Sequence, residues 1–333
     1  MTAKPRLMSI RMVWMRVPML VQISVLFVLL MMLTAIFATV FAPYDYAKQN
    51  LFLRLEPPFF LGGSMTHPLG TDGLGRDILS RLMMAIRVSI AVALVGTLIG
   101  AVLGTIIGFV AAHFRGLVEE VIMAFVDAQA ALPFLIIVLA VLAFFGNNLW
   151  LFIGLMGIYG WETYARLIRG MVLSANTQGY AMAARSLGFS PLRIYRRHVL
   201  PNIFNVLIVQ FSLNFPQTIL LETSLSFLGL GIQAPLTSLG EMLGSGRDHL
   251  VLAWWVAVIP GIVIFLTTMS ISLIGDWLRD RLDPTLTQTQ LRNPDGCFLS
   301  GRNWNRSLCE SNTMPSRVLL ILGWMLAEST ELL

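Results

Sequence analysis

The residues of this sequence whose types could do chemistry form no catalytic or metal-binding pattern. A nucleotide-binding loop needs a lysine in the spacing G-x-x-x-x-G-K-[ST] to contact phosphates, and the only lysines, Lys4 and Lys48, lie outside any such pattern. The 4 histidines form no H-E-x-x-H site, and no G-x-S-x-G motif occurs. The sequence therefore shows none of the machinery of a P-loop ATPase, a zinc protease or a serine hydrolase.

Two carboxylates, Asp127 and Glu222, remain as candidates because each lies near the end of a long apolar stretch. Glu222 could contact a cationic group of a substrate, but capping a helix or pairing with Arg247 fits the sequence at least as well. Pro216 interrupts the same apolar stretch. We assign these three residues, Asp127, Pro216 and Glu222, to the lining of a candidate substrate pathway.

The composition explains why so few candidates exist. Only 12% of the 333 residues are charged and 56% are hydrophobic, whereas a typical soluble domain is roughly 25% charged. The mean hydropathy is +0.75 and the net charge is only +5, spread over several loops. These values exclude a soluble enzyme, a disordered chain and a nucleic-acid-binding domain, and they predict a polytopic membrane protein.

Uncharged stretches predict six transmembrane helices in an all-α fold, since a span needs about 20 apolar residues. The stretch 128–161 is too long for one helix and is divided in two by the turn residues 146–148. Its first helix is predicted to start earlier, near Val121. The uncharged stretches are 19–42, 88–112, 128–161, 203–221 and 250–275.

Basic residues predict the orientation. Both termini lie on one side of six spans, and 17 of the 23 basic residues fall on that side, which is therefore predicted to be the cytoplasm. The first span is too long for the apolar core of a signal peptide, so we expect an uncleaved anchor. The predicted organisation is a cytoplasmic segment 1–18, a first transmembrane helix 19–42, an external loop 43–87, a five-helix core 88–276 and a cytoplasmic tail 277–333.

The tail changes character after about residue 290. It contains both cysteines, Cys297 and Cys309, which we expect to be free thiols in the cytoplasm. Its apolar run Val318–Leu326 is too short to span a bilayer as a helix. A surface helix, a disordered extension and translation beyond the usual stop all remain open, and the tail is assigned no function.

The cytoplasmic loop 162–202 carries the strongest local signals. Tyr180–Leu187 is rich in alanine and predicts a helix, and Gly188 follows where a left-handed residue ends one. Ser190 and Pro191 suit the cap and first position of a second helix, and Pro201 suits the start of the next membrane helix. We expect helix, sharp turn and helix, lying parallel to the membrane.

Small residues on the first of these helices suggest a docking surface. Ala181, Ala183 and Ala184 are expected to keep one side small, so that another protein can approach closely. The alternative is an ordinary surface helix whose neighbouring arginines lie at the lipid headgroups.

This loop resembles the EAA loop of type I ABC importer permeases. That family has E-A-A, three residues, glycine, a spacer and then I/L-P, and this sequence has Met182 at the position of the glutamate. The residues that match are Ala183, Ala184, Gly188, Leu200 and Pro201. The resemblance implies that residues from Tyr180 to Pro191 form a coupling helix, which docks on a separate ATPase subunit.

Further stretches resemble the dipeptide, oligopeptide and nickel branch of the family, in particular its "C" member, over about residues 18–285. They are 67–77 (HPLGTDGLGRD), 225–231 (LSFLGLG) and 275–284 (GDWLRDRLDP). The segment 72–77 also suits a plain turn and helix cap. The glycines at 96, 100, 104 and 108 form a small-residue stripe, for which helix packing is favoured over a substrate groove.

The resemblance implies an inner-membrane permease subunit of a bacterial importer for peptides, working by alternating access. Its implied partners are a second permease subunit, two ATPase subunits that bind ATP and Mg²⁺, and a periplasmic solute-binding protein. This chain would bind no cofactor or metal itself, contact the lipid bilayer and contact no nucleic acid. Nickel or another small solute remains open as the cargo, and an ATP-independent carrier or channel and a membrane-embedded enzyme remain as other classes.

Overall fold

α-Helices make up most of residues 17–282, the part of the chain that the computed structural model describes. Within this range there is no β-strand, only an isolated bridge between Thr71 and Asp77. The α-helices of this range are α1 Met19–Phe41, α2 Ile78–Phe114, α3 Gly116–Ala130, α4 Phe134–Phe145, α5 Leu149–Ile158, α6 Trp161–Asn176, α7 Gly179–Ser186, α8 Pro191–Ile194, α9 Leu200–Phe227, α10 Leu239–Gly246 and α11 Trp255–Leu282.

Four helical segments of the described range are long and apolar enough to cross a membrane: α1, α2, α11 and Tyr195–Phe227, which contains α9. Helices α3 and α4, bent by 86° at the break between them, give a fifth if they count as one span. The predicted span that follows the turn at 146–148 is divided between two helices, α5 of 10 residues and α6 of 16 residues. The prediction of an all-α polytopic membrane protein is confirmed.

Helix α2 begins at Ile78, well before Val88, the first residue of the predicted second span. Asp77 caps its start, because the Asp77 carboxylate accepts a hydrogen bond from Ser80 N at 2.8 Å. Arg81 does not interrupt the helix, since its guanidinium is buried and paired with carboxylates. A charge that looks like a boundary in the sequence is therefore accommodated inside the packed helix.

The glycine stripe of α2 is a helix-packing surface, as predicted. Each of Gly96, Gly100, Gly104 and Gly108 faces the backbone or Cβ atoms of α5, α6 or the turn between them, so that an added Cβ would lie under 3.0 Å away. The contacted residues are, in order, Met156, Tyr159, Trp161 with Tyr164, and Ala165 with Ile168. The contacts advance together along both segments, so α2 and the α5–α6 segment run side by side in the same direction.

Several sequence predictions lie outside the described residues. These are the basic segment before residue 17, the cysteines Cys297 and Cys309, and the apolar run Val318–Leu326.

Candidate functional site

The predicted coupling loop has the expected helix–turn–helix geometry. Helix α7 ends in a left-handed residue, Gly188, with φ +77°. The turn is closed by Phe189 N, which donates to the carbonyl oxygen of Ala184 at 3.2 Å, the long bond of a Schellman motif. Ser190 then precedes Pro191, the first residue of α8. Local sequence signals therefore predicted this turn correctly.

The alanines of α7 do not form one open surface, which corrects the sequence expectation. Ala181 and Ala184 are buried, while Ala183 is exposed. Ala184 packs in a hydrophobic cluster with residues of α6 and α9 such as Ile168 and Ile203. The reason is helical periodicity: positions 181 and 184 share the apolar face that the chain covers with its own helices, and position 183 lies off that face.

The outward face of α7 is larger and more apolar than expected. Met182 and Ala183 are exposed on it, Leu187 is exposed directly after its last residue, and Phe189 is exposed in the turn. The Arg193 guanidinium lies over the Phe189 ring, 5.6 Å from its centroid. An exposed apolar ridge on a short helix, held at one end by a glycine turn, is suited to docking into a cleft of another protein.

The second half of the loop continues into the membrane helix without a break. Pro201 lies in the first turn of α9, as predicted, but no break precedes it, because residues Tyr195–Val199 form a π-helical turn that joins α8 to α9. Proline lacks the N–H of an ordinary helical bond, and a wider turn before it accommodates this loss. Leu200 is half-buried and Pro201 is exposed at the start of α9. A cavity of about 460 Å³ beside this turn is lined by Ser190, Arg193, Arg196 and Arg197.

Two of the pathway candidates, Glu222 and Pro216, are buried on the packed side of α9. The Glu222 carboxylate accepts a hydrogen bond from Ser226 Oγ at 2.7 Å. Arg247 does not pair with it: its guanidinium lies 3.6 Å from Asp248 and stacks near the Phe227 ring. Neither candidate is on an open surface of the chain in this conformation.

The third candidate, Asp127, is exposed and belongs to a polar seam between α3 and α6. The Arg166 guanidinium donates to its carboxylate at 3.1 Å. Nearby, Arg169 pairs with Glu119 at 2.5 Å. Further along the same seam, Trp161 Nε1 donates to Gln129 Oε1 at 2.7 Å. These contacts connect α3 to α6, the helix that leads into the coupling loop.

A buried ion-pair network before and beside α2 was missed at the sequence level. Arg81 pairs with both Asp72 and Glu241, and its distance to the Glu241 carboxylate is 2.7 Å. Asp72 also accepts from Arg76, and Glu241 from Thr237. The network joins the segment 67–77 to helix α10. The only signal for it was the turn pattern in that segment, which says nothing about the residues 237–241 that complete it.

Burial by itself raises the pKa of Asp72. The Arg81 guanidinium, the backbone N–H of Arg76 and the Arg76 charge lower this pKa, and together with the other contacts they outweigh burial. The net pKa lies below the usual value of an aspartate. Asp72 is therefore a charged structural residue at neutral pH.

The helices have the fold of an ABC transporter permease. A chain of the MetNI methionine ABC transporter, in an inward-facing conformation, matches with a TM-score of 0.51 and covers 61% of this chain and 96% of its own length. The two sequences are 18% identical, so this likeness shows the fold alone.

The chain belongs to the family of binding-protein-dependent transport system inner membrane components, whose model matches residues 100–288. The N-terminal transmembrane domain of oligopeptide transport permease C matches residues 19–58. The predicted membership of the ABC importer permeases, in the dipeptide, oligopeptide and nickel branch, is therefore confirmed.

Curated relatives cover most of the chain. The di/tripeptide transport system permease protein DppC of Pseudomonas aeruginosa is 40% identical over 79% of this chain and 87% of its own length. The glutathione transport system permease protein GsiD of Pectobacterium atrosepticum is 38% identical over 78% and 85%. The oligopeptide transport system permease protein OppC of Bacillus subtilis is 34% identical over 80% and 86%.

Proposed function

We propose that this chain is a translocation subunit of a bacterial importer for short peptides. The observation that carries the cargo class is the set of relatives, which are named for di- and tripeptides, glutathione and oligopeptides. Glutathione is itself a tripeptide, so the three names share one chemistry. Nickel or another small solute is the alternative cargo within the same class of system.

The mechanism we propose is alternating access driven by other chains. The full sequence contains no P-loop, so ATP and Mg²⁺ bind to two separate ATPase subunits. A second permease subunit completes the pathway, and a periplasmic binding protein delivers the peptide. The coupling loop 162–202 and both termini lie in the cytoplasm, with 43–87 outside and the five-helix core at 88–276. The segments 1–18 and 277–333 are the cytoplasmic ends, and 19–42 is the first transmembrane helix.

The coupling surface we propose is the exposed ridge at the end of α7, formed by Met182 and Ala183 of the helix and by Leu187 directly after it. Motion of a docked ATPase reaches the membrane because the other side of α7 is packed into the chain. Ala184 contacts the cluster that contains Ile168 of α6. Helix α7 therefore transmits the motion of the ATPase to the membrane helices, and Gly188 defines the angle of the turn that follows it. The residues that form or flank this coupling element are Tyr180, Ala181, Ser190, Pro191, Leu200 and Pro201.

Asp127 is the pathway candidate that the proposal retains in the present conformation, because its side chain is exposed. Glu222 and Pro216 are buried, so they would reach a substrate only after the helices around α9 rearrange.

The coupling surface is tested by adding bulk to it in the whole transporter, expressed with its own partner subunits. Ala183→Trp fills the outward ridge, and Ser174→Trp adds the same bulk to an exposed position at the end of α6. We expect Ala183→Trp to abolish copurification of the ATPase subunits and ATP-dependent uptake of a labelled dipeptide, with Ser174→Trp close to wild type. Normal uptake and assembly in Ala183→Trp would refute docking at this ridge.

The competing classes give different results in the same assay. Uptake that persists without ATP or without ATPase subunits would indicate a secondary carrier or channel. Uptake of nickel that competes with the labelled dipeptide would indicate the alternative cargo.

A further inference from the structure

One side of α9 carries an uncharged polar residue about every two turns along its length. In a helix with 3.6 residues per turn, these positions fall within a sector of about 80°, and all are exposed or partly exposed. The polar stripe of α9 consists of Asn202, Gln210, Gln217 and Ser224. Aliphatic residues such as Leu213 and Leu220 share this side, so it is mixed rather than wholly polar.

The depth of the stripe argues against contact with lipid. Within the apolar segment Tyr195–Phe227, Gln210 is 15 residues from the start and Gln217 is 10 residues from the end. Their side chains make no hydrogen bond to any other residue of the described range, while Ser224 Oγ donates to the Leu220 carbonyl. An amide without a partner is costly in hydrocarbon, because no water is there to satisfy it. This side of α9 therefore faces a polar environment.

The opposite side of α9 has the character expected of lipid contact or packing. Phe204 and Ile208 are exposed and apolar there, and Phe215 is packed in the hydrophobic core. Glu222 lies on this packed side too. At this depth the two sides of the helix differ in exposure: the polar residues Asn214 and Thr218 are buried against the chain, whereas Gln217 of the stripe is exposed and Gln210 is partly exposed.

A close-packed helix of another subunit is a poor occupant for the stripe. Helices approach each other in membranes through small residues, as the glycines of α2 do, whereas Gln210 and Gln217 are long. The stripe spans 22 residues from Asn202 to Ser224, which at 1.5 Å per residue is about 33 Å, the thickness of the hydrocarbon core. Polar groups repeated over that length are suited to an aqueous passage.

We propose that the polar stripe of α9 lines the passage through which the peptide crosses, with Gln210 and Gln217 forming hydrogen bonds to its backbone amides. The inference deepens the proposed function and rests on it. Amide and hydroxyl groups match the donors and acceptors of a peptide bond, and the stripe carries no charge that would retain a zwitterion. Leu213 and Leu220 offer apolar contacts to side chains of different sizes. Recognition through the backbone explains how one passage accepts peptides of different sequence.

The test is the accessibility of single cysteines in the whole transporter, in membranes, with Cys297 and Cys309 replaced by serine. Gln210→Cys lies on the stripe, and Ile208→Cys is its matched control, two residues away on the opposite side of the helix. A charged, membrane-impermeant thiosulfonate should modify Gln210→Cys and Gln217→Cys at least 10-fold faster than Ile208→Cys. A saturating dipeptide should slow the modification at both stripe positions.

Equal, slow modification of Gln210→Cys and Ile208→Cys in the resting, ATP-bound and vanadate-trapped states would overturn the proposal that the polar stripe lines a passage. If wild-type ATP-dependent dipeptide uptake persists, that failure leaves the proposed function intact. Fast modification with no protection by dipeptide and no wild-type dipeptide uptake would instead refute the peptide class and with it both proposals. As a second readout, Gln217→Leu should lower peptide uptake several-fold without loss of the ATPase subunits. Gln217→Asn should retain more peptide uptake than Gln217→Leu, because it keeps an amide group.

Discussion

Gly104→Ala should destabilise the protein, although alanine is normally the better helix former. A Cβ at position 104 would lie 2.3 Å from the carbonyl oxygen of Trp161 and 2.6 Å from Cβ of Tyr164. To reach 3.0 Å from 2.3 Å, helices α2 and α6 must separate locally by about 0.7 Å, and neither contacted atom belongs to a flexible side-chain end. The close approach of the two backbones is thus what the glycine permits.

The size of the effect follows from two opposing contributions. Overpacking of this kind costs about 1–3 kcal/mol, and replacing glycine by alanine in a helix returns about 1 kcal/mol. The net loss is up to about 2 kcal/mol, which at about 2–4 °C per kcal/mol corresponds to a fall in Tm of up to about 8 °C.

The assay is a thermal denaturation of the detergent-solubilised protein, followed by fluorescence-detected size exclusion. Gly170→Ala is the matched control, because it lies in α6 and an added Cβ there meets nothing within 4 Å. We expect its Tm to equal or exceed that of the wild type. A Gly104→Ala protein as stable as Gly170→Ala would refute the close packing of α2 on α6.

Two further predictions concern the ion-pair network and the coupling turn. Asp72→Asn should destabilise the protein by about 3–5 kcal/mol at pH 7, because it removes a partner from buried Arg81. The folded-state pKa of Asp72 is lowered, so its contribution is present above the ordinary value of 3.8 and is lost as the pH falls through the lower folded value. The difference in denaturation midpoint between mutant and wild type should therefore shrink below that pH, and a constant difference would contradict the assignment. Gly188→Ala should cost about 1–2 kcal/mol through its φ of +77° alone, since an added Cβ meets nothing within 4 Å. It should lower ATPase copurification less than Ala183→Trp does, and an equal loss would contradict this by showing that the turn angle matters as much as the ridge.

Local features of the coupling loop were predictable because they depend on near neighbours in the chain. Gly188 adopts the left-handed conformation that glycine favours after a helix, and Pro191 follows at the first position of α8. The composition of Tyr180–Leu187 sufficed for the helix. The direction of its faces was not predictable, because Ala184 is buried by α6 and α9, which lie elsewhere in the sequence.

The candidate pathway shows more clearly that the sequence does not reveal which face of a helix is buried. An acidic residue in an apolar stretch attracts attention, yet Glu222 is satisfied in part by Ser226 one turn away and is buried. The uncharged Gln210 and Gln217 attracted none, because a glutamine in a sequence does not reveal which side of its helix is covered. Only the packing of α9 against its neighbours separates the two sides.

The sequence by itself determined the class of the protein, the approximate membrane segments, the turn at Gly188 and the family. These depend on hydrophobicity, charge and local backbone preference, which are properties of short stretches. The tertiary structure alone decided that Arg81 pairs with Glu241, that Ala184 packs inward, and that the polar side of α9 is open. The scarcity of charged residues shows that most of this chain is embedded in the membrane and not exposed to water. Which uncharged polar groups meet a passage, rather than a neighbouring helix, depends on contacts between residues far apart in the chain.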